Sequence, residues 1–142
     1  MNKFKKNILL FVAHSNFLQK IASIIVLIIP QILTHNIEKY KIIKNIFYTL
    51  DMDDVKGDYL EFGCFTGSSL KHAINCYKKI FTKNKNNMFF YGFDSFQGFP
   101  ENVHKTFTDE IFKTNFSKVK KIETNYNNCK IVKGFFDKSL KN

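Results

Sequence analysis

Two acidic residues, each close to a glycine, have the types and spacing needed to bind a ligand. Glu61 comes just before a glycine loop at residues 63–67, GCFTG, and Asp94 follows a second apolar run farther along the chain. Glycine permits a sharp turn and a close approach of a ligand to the backbone, and the amides that open the next helix favour a polar or anionic group. Glu61 has the chemistry to fix an ammonium group or a ribose hydroxyl, and Asp94 has the chemistry to accept hydrogen bonds from both hydroxyls of a ribose. The pair indicates a site for a nucleotide-like ligand.

Each of these residues also has a purely structural explanation. A strand-to-helix turn needs glycine whether or not a ligand binds, and an aspartate after a strand often fixes a turn. Ligands of open parallel sheets bind beyond the carboxyl ends of the strands, so Glu61 and Asp94 are expected to face one crevice. Because both acids are expected at the same edge of the sheet, we favour ligand binding over the structural explanations. We expect the ring of Phe96 to flank the base of the nucleotide-like ligand.

The elements that position these residues are predicted from the period of the apolar side chains. Short apolar runs at 59–62, 88–93 and 129–133 predict three strands. Apolar residues at three- and four-residue steps predict a helix after Gly67 and another over 117–126, capped by its first residue, a serine. The order strand, helix, strand, helix, strand predicts parallel pairing with right-handed crossovers, which is an α/β, Rossmann-like fold.

The chain is predicted to have two parts. Residues 1–37 form an N-terminal segment of apolar and amphipathic helices, and residues 38–142 form the sheet domain, which opens with a helix over 38–50. The apolar runs of the first part are shorter than the roughly 20 residues of a membrane span, and joining them would put polar side chains inside the bilayer. We expect these helices to pack on the domain or on a partner subunit. Association of the lysine-bearing N-terminus with a membrane surface is the alternative.

The composition argues against several other classes of protein. The net charge is +10, but all 22 basic residues are lysine. Proteins that read bases or phosphates rely on the bidentate fork of arginine, and the lysines here form no stripe, so no nucleic-acid partner is expected. Cys64, Cys76 and Cys129 are odd in number and widely spaced, which predicts free thiols in the cytoplasm and no metal site.

Two segments resemble class I S-adenosylmethionine-dependent methyltransferases of the macrocin and mycinamicin O-methyltransferase type. They are residues 57–69, GDYLEFGCFTGSS, and residues 91–101, YGFDSFQGFPE. Residues 132–140, VKGFFDKSL, are similar to the segment that follows the third strand in that family. The resemblance covers residues 38–140 and implies a methyl donor held by Glu61, Gly63, Phe65, Gly67, Ser68, Asp94, Ser95 and Phe96.

The bulky Phe65 stands where the commoner methyltransferase loop has a middle glycine. The resembled family tolerates a large residue at that position. A dinucleotide-binding dehydrogenase requires a glycine there and a longer G-x-G-x-x-G loop, so Phe65 argues against that class of enzyme.

The resemblance implies methyl transfer from S-adenosylmethionine to a hydroxyl of a small-molecule acceptor such as a sugar. In that family a fourth strand carries an acidic motif that binds a divalent metal, Mg²⁺, and helps to position the acceptor, and the 142 residues contain no counterpart. No catalytic residue is therefore assigned. We expect the first half of the class I fold, with about three strands, to be inactive alone and to be completed by a C-terminal half or in a homo-oligomer. The alternatives are a non-catalytic nucleoside-binding fragment and a protein of the membrane surface.

Two histidines are the remaining candidates for acid–base chemistry. His72 falls on the polar side of the helix predicted after Gly67, and we expect it to be solvated. His104 follows the turn at residues 99–100, where the resembled family has a mobile segment near the acceptor, and is at most a candidate acid or base.

Overall fold

The structure is a computed structural model that describes residues 3–81, 88–99 and 112–140. By its internal contacts the chain divides into two units, Met1–Lys39 and Tyr40–Asn142. His104 lies outside the described residues, so its predicted role stays untested.

The first unit is helical. It contains α1 (Lys3–His14), α2 (Asn16–Ile28) and the beginning of α3 (Gln31–Met52). The hydroxyl of Ser15 accepts a hydrogen bond from the amide of Leu18, 3.4 Å away, which caps α2. Apolar side chains on α2 are largely exposed, with Leu27 at 82%. Among the described residues no single helix has the length and apolarity of a membrane span, although α2 and α3 meet both criteria together across a bend of 116°.

The second unit contains the end of α3 and then β1 (Tyr59–Phe62), α4 (Ser68–Ile80), β2 (Phe90–Asp94), α5 (Phe116–Asn125), β3 (Cys129–Lys133) and α6 (Phe136–Ser139). The three strands form one parallel sheet in the order β1-β2-β3. The predicted α/β fold with three parallel strands is therefore confirmed.

Element boundaries moved by a few residues at three places. The helix predicted over 38–50 lies within α3, which begins earlier, at Gln31. The second strand begins at Phe90, two residues after the predicted start of the apolar run at residue 88. The predicted cap at Ser117 is wrong, because the side chain of Asn115 accepts from the amide of Lys118 at 3.2 Å and α5 begins one residue earlier.

Both helical crossovers run in the same direction across the sheet, and right-handed connections of that kind place their helices on one face. The core lies on this face, where α3, α4 and α5 bury their apolar side chains against β2 and β3. The largest side chains with almost no exposure are Phe47, Phe90, Leu70, Ile74 and Ile122. We call this side of the sheet the covered face.

The opposite side of the sheet carries apolar side chains that remain accessible. Residues of a strand alternate between the two faces, and the register pairs Leu60 with Tyr91 and Phe62 with Phe93. Leu60 is 50% exposed and Phe62 is 52% exposed, whereas the ring of Phe93 is shielded by the stacked ring of Phe62, 5.1 Å away. We call this side the open face; its members are Leu60, Phe62, Phe89, Tyr91, Phe93, Lys130 and Val132.

Candidate functional site

The ends of the three strands lie side by side at one edge of the sheet. The amide of Gly63, just after β1, donates to the carbonyl of Phe93 at 2.8 Å, and the amide of Gly134, just after β3, donates to the carbonyl of Asp94 at 3.0 Å. These two bonds extend the ladder past the strands and hold the three following loops together. The crevice expected from the sequence therefore has a rigid floor.

The loop between β1 and α4 is a tight turn with an unusual backbone. Gly63, Phe65 and Gly67 all have positive φ angles, of 80°, 48° and 70°. The amide of Gly67 donates to the carbonyl of Cys64 at 2.7 Å and closes the turn. Such angles cost glycine little, but for Phe65 they store about 1 kcal/mol of strain. The loop holds Phe65 in a strained conformation that the surrounding contacts must offset.

The two loop glycines have different roles. A side chain at Gly67 would run into Ile122 and come within 3.3 Å of Val119, so this glycine allows α5 to pack against the start of α4. A side chain at Gly63 would meet nothing within 4 Å. Gly63 is needed for its backbone conformation, and the space above it is open to a ligand.

Asp94 ties this loop to the loop that follows β2. One carboxylate oxygen accepts from the amide of Phe65 and the other from the amide of Phe96, both at 2.7 Å. Charge-assisted bonds of this kind are short and strong, which explains how the strained conformation of Phe65 is held. Each oxygen keeps a second lone pair, so the carboxylate still has the capacity to accept from a ligand.

Glu61 is engaged differently. Its two carboxylate oxygens accept from the hydroxyl of Tyr59 at 2.9 Å and from the hydroxyl of Ser69 at 2.7 Å. Tyr59 lies two residues earlier on the same face of β1, and Ser69 lies in the first turn of α4, so Glu61 joins the strand to the helix. Burial and then the nearby charge of Glu61 raise the pKa of Tyr59.

A cleft of about 270 Å³ opens above the strand ends. Four of the eight predicted site residues line it: Gly63, Phe65, Asp94 and Ser95. The others that line it are Gly98, Phe99, Phe112, Gly134, Phe135 and Phe136. Among the described residues the lining contains a carboxylate and no lysine.

The other four predicted residues, Glu61, Gly67, Ser68 and Phe96, do not line the cleft. Phe96 is 5% exposed and packs in the core against Phe116, with ring centroids 5.1 Å apart. Its positive φ of 58° reverses the chain just after β2. The expectation that Phe96 flanks a base therefore does not match its position in the core. Phe99 lines the cleft and is placed to contact a base there.

The residues that sequence reasoning missed had a visible signal. Gly98 and Phe99 belong to the second resembling segment, and Phe135 and Phe136 belong to the segment after β3. Each pair follows a strand end, where an open parallel sheet binds its ligands. The rings of Phe99 and Phe112 meet edge-on with centroids 4.7 Å apart and form an aromatic wall.

His72 is half-buried, so the prediction that it is solvated is wrong. Its Nε2 donates to the backbone carbonyl of Tyr40 at 2.9 Å and lies 3.3 Å from the sulfur of Cys76. The imidazole also packs on the ring of Tyr40, with centroids 4.7 Å apart. His72 thus fastens α4 to α3 and lies outside the cleft lining.

Burial explains the state of the cysteines. Cys64, Cys76 and Cys129 are unpaired and buried, as expected for free thiols. Burial, with smaller contributions from the charges of Asp94 and Glu61, raises the pKa of Cys64 to about 12. This thiol is neutral at physiological pH and is not a nucleophile.

Within the described ranges no group of three or more His, Cys, Asp or Glu side chains is placed to hold a metal ion.

Comparison with known proteins supports the fold. No protein-family model and no curated protein sequence matches the chain. Among solved structures, the O-methyltransferase NovP is similar to it with a TM-score of 0.55 and 16% sequence identity. The match covers 73% of this chain and 48% of that one, so the chain corresponds to about half the length of NovP. The fold is that of a methyltransferase-like α/β domain.

Proposed function

We propose that the second unit binds S-adenosylmethionine in the cleft and serves O-methyl transfer to a small-molecule hydroxyl. The observation that carries this proposal is the position of Asp94 at the end of β2, on the wall of the cleft and next to the open space above Gly63. A ribose above Gly63 brings its hydroxyls to the free lone pairs of this carboxylate. The likeness to NovP, which is an O-methyltransferase, supports the same reading.

The charge and surface of the lining support a sulfonium nucleoside over a phosphate-bearing cofactor. The lining holds Asp94 and, among the described residues, no lysine, so a diphosphate would meet a like charge without a counter-ion. A donor with a positive sulfur and a neutral nucleoside meets no such repulsion. Phe99 and Phe112 offer an apolar wall for a purine ring.

In the proposed reaction this chain contributes by positioning the methyl donor. In the proposed reaction the donor sulfonium gives its methyl group to the acceptor oxygen, the donor becomes a thioether, and the hydroxyl proton leaves to a base. The described lining supplies a fixed floor, a ribose acceptor and an aromatic wall, which hold the donor in place for an in-line attack. No residue of the described cleft is assigned as the base, and a sugar as acceptor rests on the family resemblance.

The proposal is tested by calorimetric titration of the full chain with S-adenosylhomocysteine, the demethylated product. Asp94→Asn is expected to weaken binding about tenfold or more, because the amide repels a hydroxyl donor at one of its two positions. Asp137→Asn removes an exposed carboxylate on α6, outside the lining, and is expected to change affinity less than about twofold.

Asp94→Asn also disturbs the amides of Phe65 and Phe96, so a second variant separates binding from folding. Phe99 is 37% exposed on the cleft wall, and Phe99→Ala is expected to weaken binding without loss of the cooperative unfolding transition. Absence of binding by wild-type chain with an intact unfolding transition would contradict the proposal. Equal affinities for Asp94→Asn and Asp137→Asn would contradict the role of Asp94.

A further inference from the structure

The first unit carries a continuous row of exposed apolar side chains on α2. Phe17, Ile21, Ile24 and Ile28 follow one another at steps of four, three and four residues, which places them on one side of the helix. They are between 38% and 74% exposed, and α2 contains no buried residue. We call these four side chains the α2 stripe. A contiguous exposed apolar surface of this kind marks a site of interaction with a protein or with a membrane.

The last part of α2 is apolar on every side. Nine of its 13 residues are apolar, whereas a helix on the surface of a globular protein typically has three to four in about two turns. Residues 24–28, IIVLI, are five consecutive apolar positions, and at about 100° per residue they cover the whole circumference of the helix. All five side chains are exposed. One packed neighbour covers one side of a helix, so an environment that surrounds this end, such as lipid, fits it better.

The charge of the same segment is of one sign. Residues 1–37 contain four lysines, and all 12 acidic residues of the chain come after residue 37. A basic amphipathic helical segment is attracted to anionic lipid headgroups. The interfaces between proteins are instead depleted in lysine. The distribution of charge therefore favours an anionic lipid surface over a protein as the occupant of the α2 stripe.

The length of α2 favours a position within the membrane surface. Its 13 residues extend over about 20 Å, which is shorter than the roughly 30 Å of the hydrocarbon core. The polar residues of α2 lie in its first two turns, and the last of them are Lys20 and Ser23. Ile28 lies about 12 Å farther along the helix axis than Lys20. A tilted helix therefore places Ile28 among the acyl chains while the ammonium of Lys20 stays at the headgroups.

We propose that α2 inserts obliquely into the surface of an anionic lipid bilayer, with residues 24–28 among the acyl chains and the lysines of residues 1–37 attracted to the headgroups. No residue that lines the cleft belongs to this segment. The proposal therefore goes beyond methyl transfer and does not depend on which ligand the cleft takes.

The first test is co-sedimentation of the full chain with lipid vesicles. Vesicles that contain about 30% phosphatidylserine are expected to bind it at least about tenfold more strongly than vesicles of phosphatidylcholine alone. Salt at about 0.5 M is expected to reduce this preference severalfold, because it screens the lysines. Absence of binding to the anionic vesicles, or equal binding to both kinds, would overturn the proposal.

A matched pair of variants separates insertion of α2 from a general effect of charge. Ile24→Asp and Leu60→Asp introduce the same carboxylate at side chains that are 55% and 50% exposed, on α2 and on the open face of the sheet. Ile24→Asp is expected to weaken vesicle binding at least about tenfold, because a carboxylate among acyl chains is costly. Leu60→Asp is expected to weaken it less than about threefold. Equal losses in two variants that both keep a cooperative unfolding transition would overturn the proposal.

Tryptophan fluorescence reports the environment of α2 directly, because the chain contains no tryptophan. Leu27→Trp and Met52→Trp place a single indole at side chains that are 82% and 83% exposed. In buffer both are expected to emit as solvated indoles, and anionic vesicles are expected to shift the emission of Leu27→Trp alone to shorter wavelength. A short-wavelength emission of Leu27→Trp in buffer would overturn the proposal, because α2 would then already be covered by protein. An equal shift of both variants on vesicles would also overturn it.

Discussion

Both faces of the sheet carry apolar side chains, but the two faces differ in how far these side chains are exposed. On the covered face, Phe90 and Ile131 are at most 2% exposed beneath α4 and α5. On the open face, Leu60, Phe62 and Phe89 are between 44% and 52% exposed. The difference follows from topology, since consecutive right-handed crossovers in one direction can cover only one side. The apolar composition of a strand therefore does not by itself reveal which of its two faces is buried.

The largest expected effect is the difference in stability between leucine-to-alanine substitutions on the covered side and on the open side of the sheet. Leu70→Ala, at a side chain with no exposure, is expected to lower the free energy of unfolding by about 2–5 kcal/mol through lost burial and a cavity. Leu60→Ala, at a side chain that is 50% exposed, is expected to cost less than about 1 kcal/mol. Urea unfolding followed by circular dichroism measures both. Similar losses in the two variants would show that the open face is packed in the isolated chain.

A smaller difference in stability is expected between substitutions of the two glycines in the loop between β1 and α4. Gly67→Ala is expected to cost about 2–4 kcal/mol, because it combines a strained φ with a clash against Ile122 on the covered side. Gly63→Ala has the strained φ alone, with nothing within 4 Å, and is expected to cost about 1–2 kcal/mol. The two are compared by thermal unfolding at one pH. A larger loss for Gly63→Ala would mean that the space above this residue is filled.

The smallest effect is a loss of stability at alkaline pH. Burial raises the pKa of Cys64 from 9.0 to about 12 and that of Cys129 from 9.0 to about 11, and both thiols belong to the core on the covered face. A raised folded pKa gives stability that is complete below the unfolded pKa and is lost above it, because only the unfolded chain ionises.

The urea midpoint, measured with a reducing agent, is therefore expected to be level up to about pH 9 and to fall between pH 9 and 11. Cys64→Ala removes one of these groups, so its midpoint should fall less steeply over the same interval. A midpoint in the wild-type chain that is independent of pH across this interval would contradict the burial of these thiols.

The sequence was sufficient for the sheet and for the location of the cleft. The periods of the apolar residues gave the three strands, and the glycine turn with Asp94 at a strand end indicated where a ligand would bind. The contacts of individual side chains depended on three-dimensional placement. The positive φ at Phe96 sends its ring into the core, and the bond from His72 to Tyr40 requires the position of α3. The spacing of residue types along the sequence predicts neither the burial of Phe96 nor the bond of His72.

The hydrogen-bond partners of Glu61 could likewise be predicted only in part from the sequence. Tyr59 lies two residues away on one strand face, which the period of a strand allows one to anticipate. Ser69 reaches the same carboxylate only because the loop folds the start of α4 back over β1. The sequence therefore predicted the position of Glu61 on β1, but neither its bond to Ser69 nor its place outside the cleft lining.

The strained backbone of Phe65 has a consequence for how such sequences change over time. Its φ of 48° is one that glycine or asparagine adopts at lower cost, and the phenyl ring forms part of the cleft wall. Replacement by glycine would relieve the backbone, so selection for folding alone would let this position drift toward small residues. A lineage that keeps a bulky side chain here retains it for what the ring contacts. Descendants of this chain that no longer use the cleft should lose the phenylalanine before they lose Asp94, which the fold still needs to join its two loops.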